Sequence, residues 1–202
     1  MKKIIYNTLL FCWTIIALSG CDLELQKDYD YKPSVDDPHI NMTAWEYLQE
    51  NKGQFSELIA AIEYVGMQEY YTQTQSLYTY LALNNVAMQS LLKEKFSGAT
   101  AITECDKEKL KDILLYHIVD GEYSSYGQLP VEPMFVLTML KGEQGLMTIC
   151  VWKNPYQSSM GKILINETGS NGNSPRRKSK ASNIMPTNGV IHVFEQYCYY
   201  QR

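Results

Sequence analysis

The chain has 202 residues, with 18 lysines and arginines against 22 aspartates and glutamates and a formal net charge of −4. That balance argues against wholesale binding to a phosphate backbone, so nucleic acid is not an expected partner. The length allows one domain with a sizeable core once non-domain segments are set aside.

The first such segment opens the chain. Lys2 and Lys3 precede an apolar run from Ile4 to Leu18, and Ser19 and Gly20 then lead into Cys21. Charge, greasy core and small residues, in that order, mark a secretory signal peptide. The core is about fifteen residues long, shorter than the roughly twenty a bilayer-spanning helix needs. Residues 1–20 are therefore expected to be an export signal. Leu18-Ser19-Gly20-Cys21 resembles a bacterial lipobox, which implies acylation (palmitate among the chains) at Cys21 and anchoring to membrane. Residues 21–38 follow with Asp22, Glu24, Asp28, Asp30, Asp36 and Asp37 against Lys27 and Lys32, two prolines and no apolar period. Such a composition buries too little surface to order itself and reads as a flexible acidic tether. Acidic residues behind the cysteine also resemble the surface-export signal of Bacteroidota lipoproteins. That resemblance implies the outer membrane, with the domain at the cell surface and the periplasmic face as the alternative.

Residues 39–202 form the expected domain. Thr43-Ala44-Trp45-Glu46 has the pattern of a capping box and opens a short helix expected to stop near Gly53. Phe55, Leu58, Ile59, Ile62 and Val65 recur at helical spacing, and Gly66 stands where a C-cap would. Ser76 to Leu83 is aromatic and favours a strand, Val86 to Leu92 returns to helical spacing, and Lys107 to Leu115 is a charged-then-apolar helix. The second half then changes character. Strands are expected over 133–140, 146–152, 161–166 and 189–197, with a turn at Gly142 to Gly145. Residues 169–180 are rich in Gly, Asn and Ser and read as an exposed loop. Helices first and strands later indicate an α+β layer arrangement.

Two segments are more specific than periodicity. Leu114-Leu115-Tyr116-His117-Ile118-Val119 and Asn188-Gly189-Val190-Ile191-His192-Val193 resemble the two conserved stretches of the fasciclin (FAS1) domain family. A third family stretch corresponds to Thr79 through Met88, with Leu83 in place of the usual proline and Met88 in place of a phenylalanine. The resemblance runs from about Asn41 to Gln196. It implies a wedge of β-strands beside a set of α-helices, and a role in adhesion or protein–protein interaction without catalysis or cofactor.

Candidate functional residues are few. The resemblance makes Tyr116 and His117 candidates for partner contact, although a histidine ending an apolar helix reads first as a satisfied structural residue. His192, in a strand, reads the same way. Asn188-Gly189 reads as a turn that sets register. Arg176, Arg177, Lys178 and Lys180 make a basic patch on an otherwise acidic protein; it is a solvated loop or a site for an acidic partner, lipid headgroup or glycan. Sixteen tyrosines are many for this length. Tyr70, Tyr71, Tyr78 and Tyr80 are core or groove residues, and a shallow aromatic platform would favour an alternative reading as a carbohydrate-binding accessory of an outer-membrane uptake system. No nucleophile, base and orienting group can be assembled, and the histidines and cysteines lack metal-ligand spacing. Cys150 is expected in the core, and a Cys105–Cys198 disulfide is conceivable. The protein is thus expected to be a non-enzymatic envelope lipoprotein with a protein partner.

Overall fold

A computed structural model describes residues 37–127, 129–153, 160–167 and 174–198. The chain divides into two units, Met1–Asp37 and Pro38–Arg202. Cys21, the signal and nearly all of the tether lie outside the described residues, as do 169–173, Tyr199 and Tyr200.

Helix α1 (Ala44–Glu50) starts as its sequence dictates. Thr43 Oγ1 accepts from the Glu46 amide at 3.3 Å, and the Glu46 carboxylate accepts from the Thr43 amide at 2.7 Å. These bonds hold the Glu46 carboxyl below its usual pKa, the Thr43 amide being the largest cause. The helix ends before Gly53. Asn51 leaves helical geometry and its side-chain amide donates to the Tyr47 carbonyl at 2.8 Å, a local bond that competes with the ladder. Gly53 lies instead in the first turn of α2 (Lys52–Val65). Gly66 closes α2 in the left-handed conformation with φ 73°.

A third helix, α3 (Gln68–Thr72), follows immediately; its five residues are too few for a periodic signal. Strand β1 (Tyr78–Leu83), helix α4 (Asn85–Lys95), a 3₁₀ turn (Ile102–Glu104) and helix α5 (Lys107–Tyr116) complete the first half. Asn84 caps α4, its side chain accepting from the Ala87 amide at 3.0 Å. It supplies the turn that a proline at Leu83 would have stiffened. Leu83 and Met88 are both fully buried.

Strand β2 (Ile118–Asp120) leaves α5 directly, an element that three residues cannot announce in sequence. It is followed by β3 (Met134–Leu137), β4 (Leu146–Lys153), β5 (Met160–Ile165), β6 (Arg177–Lys178), β7 (Ala181–Ile184) and β8 (Gly189–Phe194). Two four-stranded sheets result, in the orders β2-β1-β8-β7 and β3-β4-β5-β6. At the centre of the first, β1 and β8 pair in parallel from Tyr78 opposite Gly189 to Leu83 opposite Phe194. Every residue of β8 is buried, as a strand covered on both faces must be. Helix α2 packs on α1, α4 and α5, and its buried Phe55, Leu58, Ile62 and Val65 enter the same apolar core as β1 and β8. The architecture is α+β, with helices packed beside β-sheets.

The expected loop over 169–180 is corrected in its described part. Arg177 and Lys178 form strand β6, antiparallel to β5, with Lys178 opposite Leu164 and Arg177 opposite Ile165. The Ser179 amide donates to the Ile163 carbonyl, and Ser179 Oγ accepts from the Ile163 amide, each at 2.8 Å. A composition of Ser, Arg and Lys hides this strand, because its pairing comes from the open edge of β5 rather than from its own propensity.

Candidate interaction surface

The Tyr116-His117 pair sits where α5 turns into β2, and the fold withdraws both side chains from solvent. Tyr116 is fully buried and His117 is 3% exposed. His117 Nδ1–H donates to the Ile113 carbonyl at 2.7 Å, and Nε2 accepts from the Cys198 amide at 3.1 Å. Burial lowers the ring's pKa to about 4, with the Ile113 bond opposing the shift. The neutral tautomer with hydrogen on Nδ1 satisfies both contacts, so the imidazole is a pin between α5 and the chain's last described turn. Tyr116 Oη donates to Asn166 Oδ1 at 3.1 Å, tying α5 to the end of β5. The Asn166 amide also donates to Cys198 Sγ at 3.1 Å, and burial pushes that thiol up to about 12. Neither Tyr116 nor His117 offers side-chain surface to a partner: their polar atoms are spent inside the fold.

His192 is pinned likewise. Nε2–H donates to the Tyr123 carbonyl at 2.8 Å, Nδ1 accepts from the Asn183 amide at 3.1 Å, and burial lowers the ring's pKa to about 4. Asn183 adopts φ 62° at an irregularity in the pairing of β7 with β8, and its side-chain amide donates to Ser125 Oγ at 2.6 Å. Together these bonds fasten residues 123–125 onto the first sheet. Asn188 does more than set a turn. Fully buried, its Oδ1 accepts from the Ala44 amide at 2.8 Å, and its Nδ2 donates to the Tyr71 and Gln73 carbonyls at 2.9 and 3.0 Å. One side chain thereby closes the start of α1 and the end of α3 over β8.

The basic segment divides by strand alternation. Arg177 turns inward and its Nε donates to the Tyr197 carbonyl at 2.9 Å. Arg176, Lys178 and Lys180 are exposed. Arg176 pairs with Glu167, and Lys180 Nζ lies 3.3 Å from Glu195 Oε1. Lys178 Nζ lies over the Trp152 ring, 4.3 Å from its centroid. Lys162 on β5, which the linear sequence does not connect to this segment, joins Lys178, Lys180, Val86, Glu195 and Gln196 around an open groove of about 440 Å³. The Lys162 side chain has no hydrogen-bond or ion-pair partner among the described residues. The groove therefore has three lysines against one carboxylate, with an aromatic ring holding one ammonium at its edge.

A family model described as the fasciclin domain matches residues 53–198. The chain belongs to the fasciclin family. Human periostin is 30% identical over 154 residues, which cover 76% of this chain and 15% of periostin. The solved FAS1 domain pair of the insect cell adhesion molecule fasciclin I superposes with a TM-score of 0.56 at 17% identity, covering 77% of this chain and 50% of that one. This chain thus spans half or less of these relatives.

In this fasciclin domain the two recognised sequence stretches prove to be architectural: one holds α5 to β2, the other forms the central strand β8. The lysine groove lies at the β5–β6 edge. Sequence reading found Lys178 and Lys180 but missed Lys162 and Trp152. Their alternation within expected strands was the available signal, and only the pairing of Trp152 with Lys162 reveals that they share a face. Among the described residues no group of three or more His, Cys, Asp or Glu could hold a metal.

Proposed function

We infer that this fasciclin domain is an interaction module, not an enzyme, and that it engages an acidic protein surface through the groove of Lys162, Lys178 and Lys180. The observation that carries the reading is the convergence of three exposed lysines from separate positions on one groove of an otherwise acidic protein. Charge complementarity of this kind steers encounter and selects the sign of the partner. The relatives support the broader class: fasciclin I is an insect cell adhesion molecule. An acidic peptide such as oligoglutamate is the direct probe. Its affinity should fall at least tenfold in Lys162→Glu/Lys178→Glu, and should weaken steeply with added salt. Binding that is indifferent to both would sink the proposal.

Anchoring at Cys21 belongs to the same reading, since an interaction module at the cell surface needs tethering. A lipid chain contributes about 0.8 kcal/mol per buried methylene, and stable attachment takes more than one chain. Cys21→Ala should move the protein from the membrane to the soluble fraction, and protease shaving of intact cells should digest the anchored domain. A membrane-bound Cys21→Ala protein would refute the lipid anchor, and a shaving-resistant domain would refute outward display.

A further inference from the structure

A second concavity, distinct from the lysine groove, lies between α3 and β1. It has a volume of about 370 Å³, near the lower end of the roughly 300–1,000 Å³ typical of small-ligand sites. Tyr70 and Tyr78 form its aromatic walls, with ring centroids 6.2 Å apart and planes tilted by 49°. Glu69, Gln75 and Ser76 add a carboxylate, an amide and a hydroxyl, while Met139 is the sole aliphatic side chain of the lining.

What makes this concavity a site is how its polar groups are divided. Gln73 is spent on the wall itself: its Oε1 accepts from the Gln75 and Ser76 amides at 2.8 and 2.9 Å, and its Nε2 donates to the Ser76 carbonyl at 2.9 Å. That double clamp sets the conformation of 73–76 before any ligand arrives. Below, Tyr80 Oη donates to the Tyr70 carbonyl at 2.9 Å, and Tyr71 stacks on Tyr80 at 5.0 Å, so α3 and β1 hold the walls rigidly. By contrast, the side chains of Glu69, Tyr70, Gln75, Ser76 and Tyr78 make no hydrogen bond or ion pair among the described residues. Donors and acceptors without internal partners thus edge two half-buried aromatic faces.

We propose that this pocket is a sugar-binding subsite for one or two residues of an uncharged glycan. A pyranose offers an apolar C–H face for the tyrosine rings and an equatorial fringe of hydroxyls for carboxylate, amide and phenol groups. The same arrangement rejects the competing classes. The lining contains no Lys, Arg or His, and Glu69 is its only charged group at neutral pH, so uronates, sulfated sugars and acidic peptides meet repulsion. A lipid tail would need an apolar slot, and Met139 alone does not make one. The proposal does not depend on the lysine groove, which selects acidic partners.

The test uses the mature protein on a panel of neutral cello-, manno-, xylo- and galacto-oligosaccharides beside uronic-acid and sulfated ones, followed by titration calorimetry of the best ligand. A neutral oligosaccharide should bind, and Tyr70→Phe/Gln75→Ala/Ser76→Ala should weaken it at least tenfold while leaving the melting temperature unchanged. Tyr78→Ala, which removes a ring, should abolish binding; Lys162→Glu/Lys178→Glu should leave it intact. No neutral sugar bound at millimolar concentration overturns the proposal. So does neutral binding that survives the triple substitution, and so does a response confined to acidic sugars that disappears with the lysines.

Discussion

His117 and His192 differ from most surface histidines in having both ring nitrogens committed to backbone groups, in opposite tautomers. Each has a folded pKa of about 4, below the ordinary 6.5. The unfolded chain therefore binds more protons than the folded one between those values, and stability rises with pH across that window. Stability from the two rings is complete above about pH 6.5 and is lost as pH falls towards 4, on the order of 3 kcal/mol per ring. Urea midpoints should drop over this interval in the wild type and drop less in His192→Gln; equal slopes would contradict the assignment. Asn188 shows what a linear reading misses at this scale. The Asn-Gly pair looks like a turn, yet the asparagine's three side-chain bonds reach 144, 117 and 115 residues away in sequence.

Among the elements, the helices were the most legible, because capping and 3.6-residue spacing are local facts. Thr43 and Gly66 perform the roles their positions announce. Gly189 tests the opposite case. A Cβ added there would lie 1.9 Å from the Tyr78 carbonyl oxygen, inside the β1–β8 ladder, at φ 145°. At Gly66 an added Cβ meets nothing within 4 Å and only the left-handed φ resists it. Gly66→Ala should therefore cost about 1 kcal/mol in a denaturant titration, while Gly189→Ala should fail to give a folded protein. Comparable losses at both sites would mean that φ alone, and not close backbone packing, sets the cost at Gly189. Short elements were less legible: α3, β2 and β6 have five, three and two residues, too few for a period to be counted.

At the scale of the whole domain, stability among the described residues rests on packing and buried polar pins rather than covalent staples. Cys105, Cys150 and Cys198 are separate buried thiols, so the Cys105–Cys198 bridge raised by the sequence does not form. Burial raises the pKa of all three, which slows thiolate chemistry. A thiol reagent should label none of them quickly in the native state and all three once urea unfolds the chain, and a reductant should leave the melting temperature unchanged. Rapid native labelling would show that one of the three is accessible.

The α+β class, the family and most helix boundaries are legible in the linear chain, since amphipathic periods, caps and two specific stretches are all encoded within a few residues of one another. Which candidates face solvent depends instead on how distant segments pack. Tyr116 and His117 are drawn inside because α5 must turn into β2 against the core, and Arg177 turns inward because β6 alternates. Lys162 and Trp152 join Lys178 because β4, β5 and β6 lie side by side. Tyr70 and Tyr78 meet because α3 folds back beside β1. A surface is a property of faces brought together from distant segments, and no local pattern records which faces those will be.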